Sequence, residues 1–496
     1  MAAEQGGQFN KTVKHSAIYA VGTILRRITG LVMLPIYTRY LTPADYGVVE
    51  LLSMAIELMG ILVGLRISSA VFRYYILAES EAEKHEVVST ILMTVIVMTG
   101  LGVLVLYLNA GWLTPFIFGN SDYVLEFKLF IYTLMTNAIV SVCLSYIRAR
   151  QKPVLFVSIG LFILCLQVLL NIIFVVQMEL HVLGVVYSAL ISSAIVATGL
   201  SMYVFGIVGF RYSKQLLHRL VKFVAPLMLA AFAGFYVAYA DKYFIRVFNG
   251  LDDVGLYALA AKVSGILMTL FEAFNMSWAA DRFEVYKKEN ARQIYDQVFR
   301  GMSAVLILVA AGLSLFSGDL FRVMTQPAFY FAAYIVPILA VVVLIRSAFM
   351  FCSFGVTLSE RTRHVAEASW IKAVVATIGY LALIPYFGVF GAALTLAVAT
   401  LVQFYWVNTK SMQYYDMELN WKPVSVMLVL SSLSVVAGLL MPQGEILYFT
   451  FRVFIYGCLV ASFYFLPLWS VEERRLILSM ANKIIRFGRE QKIKKV

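Results

Sequence analysis

The chain has 496 residues, 61% of them hydrophobic and only 14% charged, with a mean hydropathy of +0.84. Soluble globular chains carry about 45–50% apolar and about 25% charged residues, so the polar side chains here are too few to cover a water-soluble core. A bilayer removes that difficulty, and the net charge of +12 has to be explained within it.

The first fifteen residues, MAAEQGGQFNKTVKH, lead directly into a full-length apolar span and show no small-residue cleavage site. Apolar stretches run 15–36, 46–67, 87–108, 124–147, 154–177 and 182–206. The polar segment Arg211–Lys222 interrupts them. Others follow at 223–245, 254–278, 298–317, 332–355, 365–385, 388–409, 422–441 and 447–469. Crossing the hydrocarbon takes about 20 apolar residues in a helix, and these runs are too long and too little alternating for barrel strands. The expected fold class is all-α integral membrane, with about 14 transmembrane helices.

Basic residues give the sidedness. With the N-terminus inside, 28 of the 40 Lys and Arg fall in cytoplasmic segments and tails, against Arg39, Arg246 and Arg322 alone in the opposite loops. This is the positive-inside pattern, N-in and C-in. The tail from Arg474 to Lys495 suits anionic headgroups. Because the charge follows sidedness, no nucleic acid is expected as a partner.

The chain also repeats itself. Tyr40-Leu41-Thr42-Pro43-Ala44-Asp45-Tyr46-Gly47 aligns with Phe248-Asn249-Gly250-Leu251-Asp252-Asp253-Val254-Gly255 at an offset of 208. Leu180-His181-Val182-Leu183-Gly184 aligns with Phe387-Gly388-Val389-Phe390-Gly391 at 207. Six intervening spans make the halves parallel, as in alternating-access transporters built from two lobes. The expected organisation is an N-lobe at 1–210, a cytoplasmic linker at 211–222 and a C-lobe at 223–421. Spans 13 and 14 at 422–470 and a basic cytoplasmic tail at 471–496 complete it.

Thr42-Pro43-Ala44-Asp45 fits a capping box at a helix start. Within the spans, charge is the informative signal, because a charged side chain at the bilayer centre costs at least about 2.5–3.5 kcal/mol and marks a cavity, a pair or a pathway. Arg26 and Arg27 sit near the middle of span one, too deep to snorkel. Glu50 and Glu57 share a face of span two with Ser53 and Gly60. Asp241 and Lys242 lie on span seven, Lys262 and Glu272 on span eight, and Arg346 in the middle of span ten. Arg26, Arg27, Lys242, Lys262 and Arg346 are candidate substrate-binding residues. Glu50, Glu57, Asp241 and Glu272 are candidate cavity or coupling carboxylates. A packing ion pair, such as Arg26 with Glu57, is the bland alternative. Arg66, Lys128 and Lys372 lie close enough to span ends to snorkel.

Cys143, Cys165, Cys352 and Cys458 all fall within spans without metal-ligand spacing, and no Walker A, HExxH or nucleophile-elbow motif occurs. No catalytic residue, metal or cofactor is therefore assigned, and the outer loops are too short for a membrane-embedded glycosyltransferase. In the stretches Leu34–Gly47, Val254–Lys262 and Tyr146-Ile147-Arg148-Ala149-Arg150-Gln151-Lys152-Pro153, the sequence resembles the polysaccharide transporter family of the MOP superfamily, the Wzx-type flippases. The resemblance implies two six-helix lobes in a V with a cavity lined by spans one, two, seven and eight. It also implies flipping of undecaprenyl-diphosphate-linked oligosaccharide units across the bacterial inner membrane for polysaccharide biosynthesis, beside polysaccharide polymerase machinery. Three readings of the carboxylates stay open: a site for a coupling H+ or Na+, hydrogen bonds to sugar hydroxyls, or pairs with the basic residues; consumption of the product outside is the alternative energy source. A MurJ-like lipid II flippase and a MATE-like cation-coupled antiporter are the neighbouring readings. The second favours twelve spans and an acid-dominated cavity. Spans 13 and 14 are expected either to flank a groove for the polyisoprenyl tail or to brace a lobe.

The basic-residue asymmetry is tested by reporter fusions. Those after Gln151, Ser213 and the C-terminus should report the cytoplasm, and one at Asn120 the opposite side. A C-terminal reporter on the same side as Asn120 would refute the fourteen-span topology.

Overall fold

The computed structural model describes residues 33–63, 67–361, 363–441 and 445–465. Span one up to residue 32, with Arg26 and Arg27, lies outside the described residues, as does the basic tail from Arg474 to Lys495. Among the described residues every regular element is helical and none is a strand.

After a helical segment at 33–40, the capping box forms as the sequence predicts. The Asp45 amide donates to Thr42 Oγ1 (3.1 Å) and the Thr42 amide to Asp45 Oδ2 (3.0 Å), which starts α1 (Pro43–Val63) with Pro43 at a position that needs no donor. There follow α2 (Ile67–Leu77), α3 (Glu81–Leu108), α4 (Ala110–Phe118), α5 (Val124–Phe130), α6 (Tyr132–Ala149) and α7 (Pro153–Asn171). α7 runs on as a π-helical turn, Ile172–Gln177, before α8 (His181–Val208). Then come α9 (Lys214–Asn249), α10 (Leu251–Tyr286), α11 (Ala291–Leu315), α12 (Ser317–Met324), a 3₁₀ segment (Pro327–Tyr334), α13 (Val336–Cys352) and α14 (Phe354–Leu358). The last three are α15 (Arg363–Tyr414), α16 (Trp421–Leu439) and α17 (Ile446–Phe465). Among the described residues, ten helices are long and apolar enough to cross a membrane, so this is a multi-pass membrane protein. One of the ten, α15, is broken at Gly388 (φ 54°, ψ −133°), between the expected spans eleven and twelve.

That break makes the repeat visible at residue level. The offset of 207 maps His181 onto Gly388, and both have positive φ, 46° and 54°. It also maps Gly184 onto Gly391. A Cβ on Gly184 would press on the Phe174 carbonyl, and one on Gly391 would overlap the Leu383 carbonyl. Each glycine lets a span fold back against the chain that precedes it.

The chain divides into two compact units, Met1–Thr269 with Phe321–Tyr414, and Leu270–Leu320 with Tyr415–Val496. In the first, α3, α6 and α8 bury Val88, Ile91, Cys143, Tyr146 and Val204 together, joined by Leu220 from α9. α9 and α13 both pack on α15, and α1 packs on α9. Cys143 and Cys352 are buried free thiols, Cys165 and Cys458 exposed ones.

In the second unit α11 packs against α16 and α17. Gly438 approaches the Leu315 side chain closely, and Gly312 lies against the Tyr456 ring, whose hydroxyl donates to the Leu308 carbonyl (3.2 Å). Phe316 contacts the rings of Phe449 and Tyr456. Arg452, 1% exposed, reaches Asp319 Oδ1 at 3.1 Å. These contacts tie expected spans 13 and 14 to span nine, while Phe451 and Phe454 are exposed.

Removing one partner of a buried ion pair strands the other charge and typically costs about 3–5 kcal/mol, whereas replacing both by apolar groups can be neutral. Arg452→Leu or Asp319→Asn alone should therefore lower the Tm of the purified protein sharply, and Arg452→Leu with Asp319→Leu should recover most of it. Equal losses in single and double variants would contradict a pairing role.

Candidate functional site

The site begins where α1 and α10 start. Gly250 (φ 100°) ends α9, and α10 opens with Asp252 and Asp253 in its first turn, favourable at a helix N-terminus. The 208-residue offset pairs Pro43 with Leu251 and Gly47 with Gly255, and these four residues meet each other. A Cβ on Gly47 would overlap the Leu251 carbonyl oxygen and crowd the Gly255 amide (3.1 Å). A Cβ on Gly255 would overlap the Pro43 carbonyl oxygen and crowd the Gly47 amide (3.1 Å). The two repeats thus touch through equivalent glycines, backbone on backbone.

That approach fixes what lies one turn further along. Glu50 of α1 accepts from Lys242 Nζ of α9 at 2.7 Å through Oε2, and its Oε1 lies 3.4 Å from Lys262 Nζ of α10. Lys262 also donates to the Tyr46 hydroxyl (2.8 Å) and lies over that ring. Tyr46 is held by an edge-on contact with Phe329. Asp241, 6% exposed, accepts from the Tyr257 hydroxyl (2.9 Å) through Oδ2 and from the Lys242 amide (2.8 Å) through Oδ1. Two carboxylates and two ammonium groups therefore balance in one cluster, and each carboxylate oxygen has a donor facing it, as buried charge requires. Side-chain exposure is 13% for Lys242, 16% for Glu50 and 34% for Lys262, so Lys262 is the most accessible of the three.

Two turns deeper along α1, Glu57 is exposed and accepts from the Tyr239 hydroxyl of α9 at 2.6 Å. The carboxylates thus face α9 and α10, and the pairing of Glu57 with Arg26 falls outside the described residues. Glu272 lies further along α10, half-buried, in the second unit. Arg346 on α13 is exposed and forms no ion pair among the described residues. Lys372 departs from the snorkelling expectation: it is 6% exposed, enclosed by protein on α15, with Arg346 and Asp241 as its electrostatic neighbours. Its place near a span end hid this, because which neighbour covers a residue is set by packing of distant segments. An uncompensated lysine in an apolar helix is the one signal the sequence offers.

The approach at Gly47 leaves no room for a side chain, and inserting one into tight packing costs about 1–3 kcal/mol. Gly47→Val and Gly255→Val should each lower the Tm of the purified protein, while Gly265→Ala, with nothing within 4 Å of its added Cβ, should leave it unchanged. An unaltered Tm in Gly47→Val would remove the crossing from this description.

Comparison with solved structures places the fold. A lipid II flippase MurJ in an inward closed conformation superposes with a TM-score of 0.71 at 12% identity, covering 90% of this chain and 99% of that one. An inward-facing multidrug resistance MATE family transporter of the MOP superfamily gives 0.62 at 14% identity, covering 78% and 95%. A point mutant of the MATE transporter VcmN of Vibrio cholerae gives 0.54 at 16% identity, covering 82% and 98%. A search of curated protein sequences finds no significant match. Residues 12–279, more than half of the chain and including every residue of the Glu50 cluster, match the family described as polysaccharide biosynthesis protein. The chain belongs to that polysaccharide biosynthesis family and carries a MOP-type transporter fold.

Proposed function

We propose that the protein is a flippase that moves polyisoprenyl-diphosphate-linked oligosaccharide units, undecaprenyl-diphosphate-linked in bacteria, across the inner membrane by alternating access. The observation that carries this reading is the convergence of Lys242 and Lys262, from two different helices, on the single carboxylate of Glu50. Two ammonium groups set to share one anion suit a diphosphate, which offers several strong acceptors where Glu50 offers two. Family membership and the MurJ-like fold favour the same substrate class. Fourteen spans, cytoplasmic termini, and lobes at 1–210 and 223–421 belong to this reading.

The chemistry suggests how binding drives transport. While Glu50 holds both lysines, α1 is clipped to α9 and α10 and the Gly47–Gly255 crossing stays closed. On our topology that crossing faces outward. A diphosphate that takes the ammonium groups from Glu50 releases the clip, and the energy comes from its stronger binding to the open state, since a ligand shifts an equilibrium only through differential affinity. Arg26 and Arg27, on the expected span one, extend the cationic surface, and their guanidinium groups suit bidentate phosphate contact. Glu57, held by Tyr239, and Glu272 are the proposed proton-coupling carboxylates, and consumption of the product outside is the rival energy source.

Purified protein in liposomes with a lipid-linked oligosaccharide reporter provides the test. Each charge-assisted contact is worth about 1.5–3 kcal/mol, so Lys242→Ala, Lys262→Ala, Arg26→Ala and Arg27→Ala should each slow flipping roughly 10- to 150-fold with protein levels intact. Full activity in the Lys242→Ala, Lys262→Ala double variant would overturn the assignment. In the same vesicles an imposed pH gradient should stimulate the wild type but not Glu57→Gln or Glu272→Gln. Stimulation retained in both variants excludes those carboxylates.

A further inference from the structure

The face of α1 beyond Glu50 stays polar and open. Ser53 and Glu57, three and seven residues on, are both exposed, while Leu51, Leu52, Met54 and Ala55 are buried. A carboxylate in the middle of a span does not face lipid, so this face borders an aqueous cavity. Its hydrogen-bonding capacity is one-sided. Ser53 Oγ donates its proton to the Val49 carbonyl (2.9 Å), and the Tyr239 hydroxyl spends its own on Glu57 Oε2 (2.6 Å). Glu57 Oε1 has no partner among the described residues. Only lone pairs remain on these three side chains, so the wall accepts hydrogen bonds and offers none. Tyr239 joins this wall to the lysines, because Lys242 Nζ lies 5.3 Å from the centroid of its ring. Glu57 itself stands about 10 Å beyond Glu50 along α1. The offset of 208 maps Glu57 onto Gly265, so each lies ten residues past the Gly47–Gly255 crossing on its own helix. Nothing lies within 4 Å of a Cβ added to Gly265, which leaves room where α10 could have carried a side chain.

We infer that Glu57, Tyr239 and Ser53 form a subsite for the sugar next to the diphosphate, and that this sugar is an uncharged, hydroxyl-rich one. A diphosphate offers only acceptors and finds its donors at Lys242 and Lys262. A sugar offers hydroxyl protons and finds its acceptors two turns deeper. The order of groups in the substrate, diphosphate and then sugar, is thus the order of donors and then acceptors in the site. A sugar carboxylate is excluded, because like charges brought together cost several kcal/mol and Glu57 already stands there. A metal cation would need the acceptors converged on one point, whereas these are spread over a turn of α1 and across to α9. The subsite rests on the flippase reading above and extends it from the diphosphate to the sugar. Proton coupling at Glu57 fits the same role, since a proton there removes the charge that strengthens the acceptor.

The test is the binding of three lipids to the purified full-length protein in nanodiscs: undecaprenyl diphosphate, and the same lipid carrying either a neutral hexose or a uronic acid. The hexose lipid should bind at least about 10-fold more tightly than the bare one, the effect of one charge-assisted contact, and the uronic acid lipid no more tightly than the bare one. Glu57→Ala, which removes the acceptor, and Gly265→Leu, which fills the open space, should each abolish the preference without lowering the Tm. A preference retained in both variants, or a uronic acid lipid bound as tightly as the hexose lipid, overturns the subsite while leaving the flippase reading intact. A wild type that binds the bare and hexose lipids equally does the same. If the Lys242→Ala, Lys262→Ala double variant holds the bare lipid as tightly as the wild type, or the wild type binds none of the three, the diphosphate assignment falls and the subsite with it.

Discussion

Two helix backbones pass within contact at Gly47 and Gly255 because neither residue carries a Cβ, and the charged site depends on that approach. Pro43 and Leu251 supply the carbonyls that close the gap from either side, so the contact is the same on both sides of the repeat. Once α1 and α10 are held this near, Glu50 is brought within reach of Lys262, and α9, leading into α10 through Gly250, brings Lys242 to its other oxygen. A larger residue at either glycine would separate the helices that carry the site.

The cluster is stable for the same reason that it is useful. Four charges in the spans would be prohibitive singly, and here Glu50 and Asp241 offset Lys242 and Lys262, while Tyr46 and Tyr257 complete their hydrogen bonds. Intramembrane charge normally marks a pathway, and neutrality inside the cluster does not weaken that meaning. A carboxylate that holds two ammonium groups in one state can yield them to a stronger anion in another. The Arg452–Asp319 pair is different: Arg452 is sealed from solvent, and both it and its partner lie where α16 and α17 pack on α11.

Much of this was legible in the sequence. The apolar runs foretold the helices from residue 46 onward, and Thr42-Pro43-Ala44-Asp45 foretold the α1 start with both of its reciprocal bonds. The 208- and 207-residue offsets led to residues that prove equivalent in backbone conformation or in contact, Gly47 with Gly255 and His181 with Gly388. Local hydrogen bonding and hydropathy act over a few residues, which is why they can be read from order alone. Partner choice is set by helices far apart in the chain. That Glu50 rather than Glu57 takes the lysines, that Glu57 takes Tyr239, that Lys372 is enclosed and that Arg452 pairs with Asp319 all depend on packing between distant segments. Arg26 and Arg27 remain assigned by sequence and chemistry.

The central claim is that substrate opens the Gly47–Gly255 crossing by drawing Lys242 and Lys262 away from Glu50. Spin labels at Ala44→Cys and Asp252→Cys, equivalent positions on the two sides of the crossing, measure it directly by pulsed electron resonance. Adding an undecaprenyl-diphosphate-linked oligosaccharide should shift the label distance from a single short population towards a longer one in the wild-type background. Glu50→Gln, which releases the clip without substrate, should show the longer population from the start. An unchanged short distance in both cases would contradict the account.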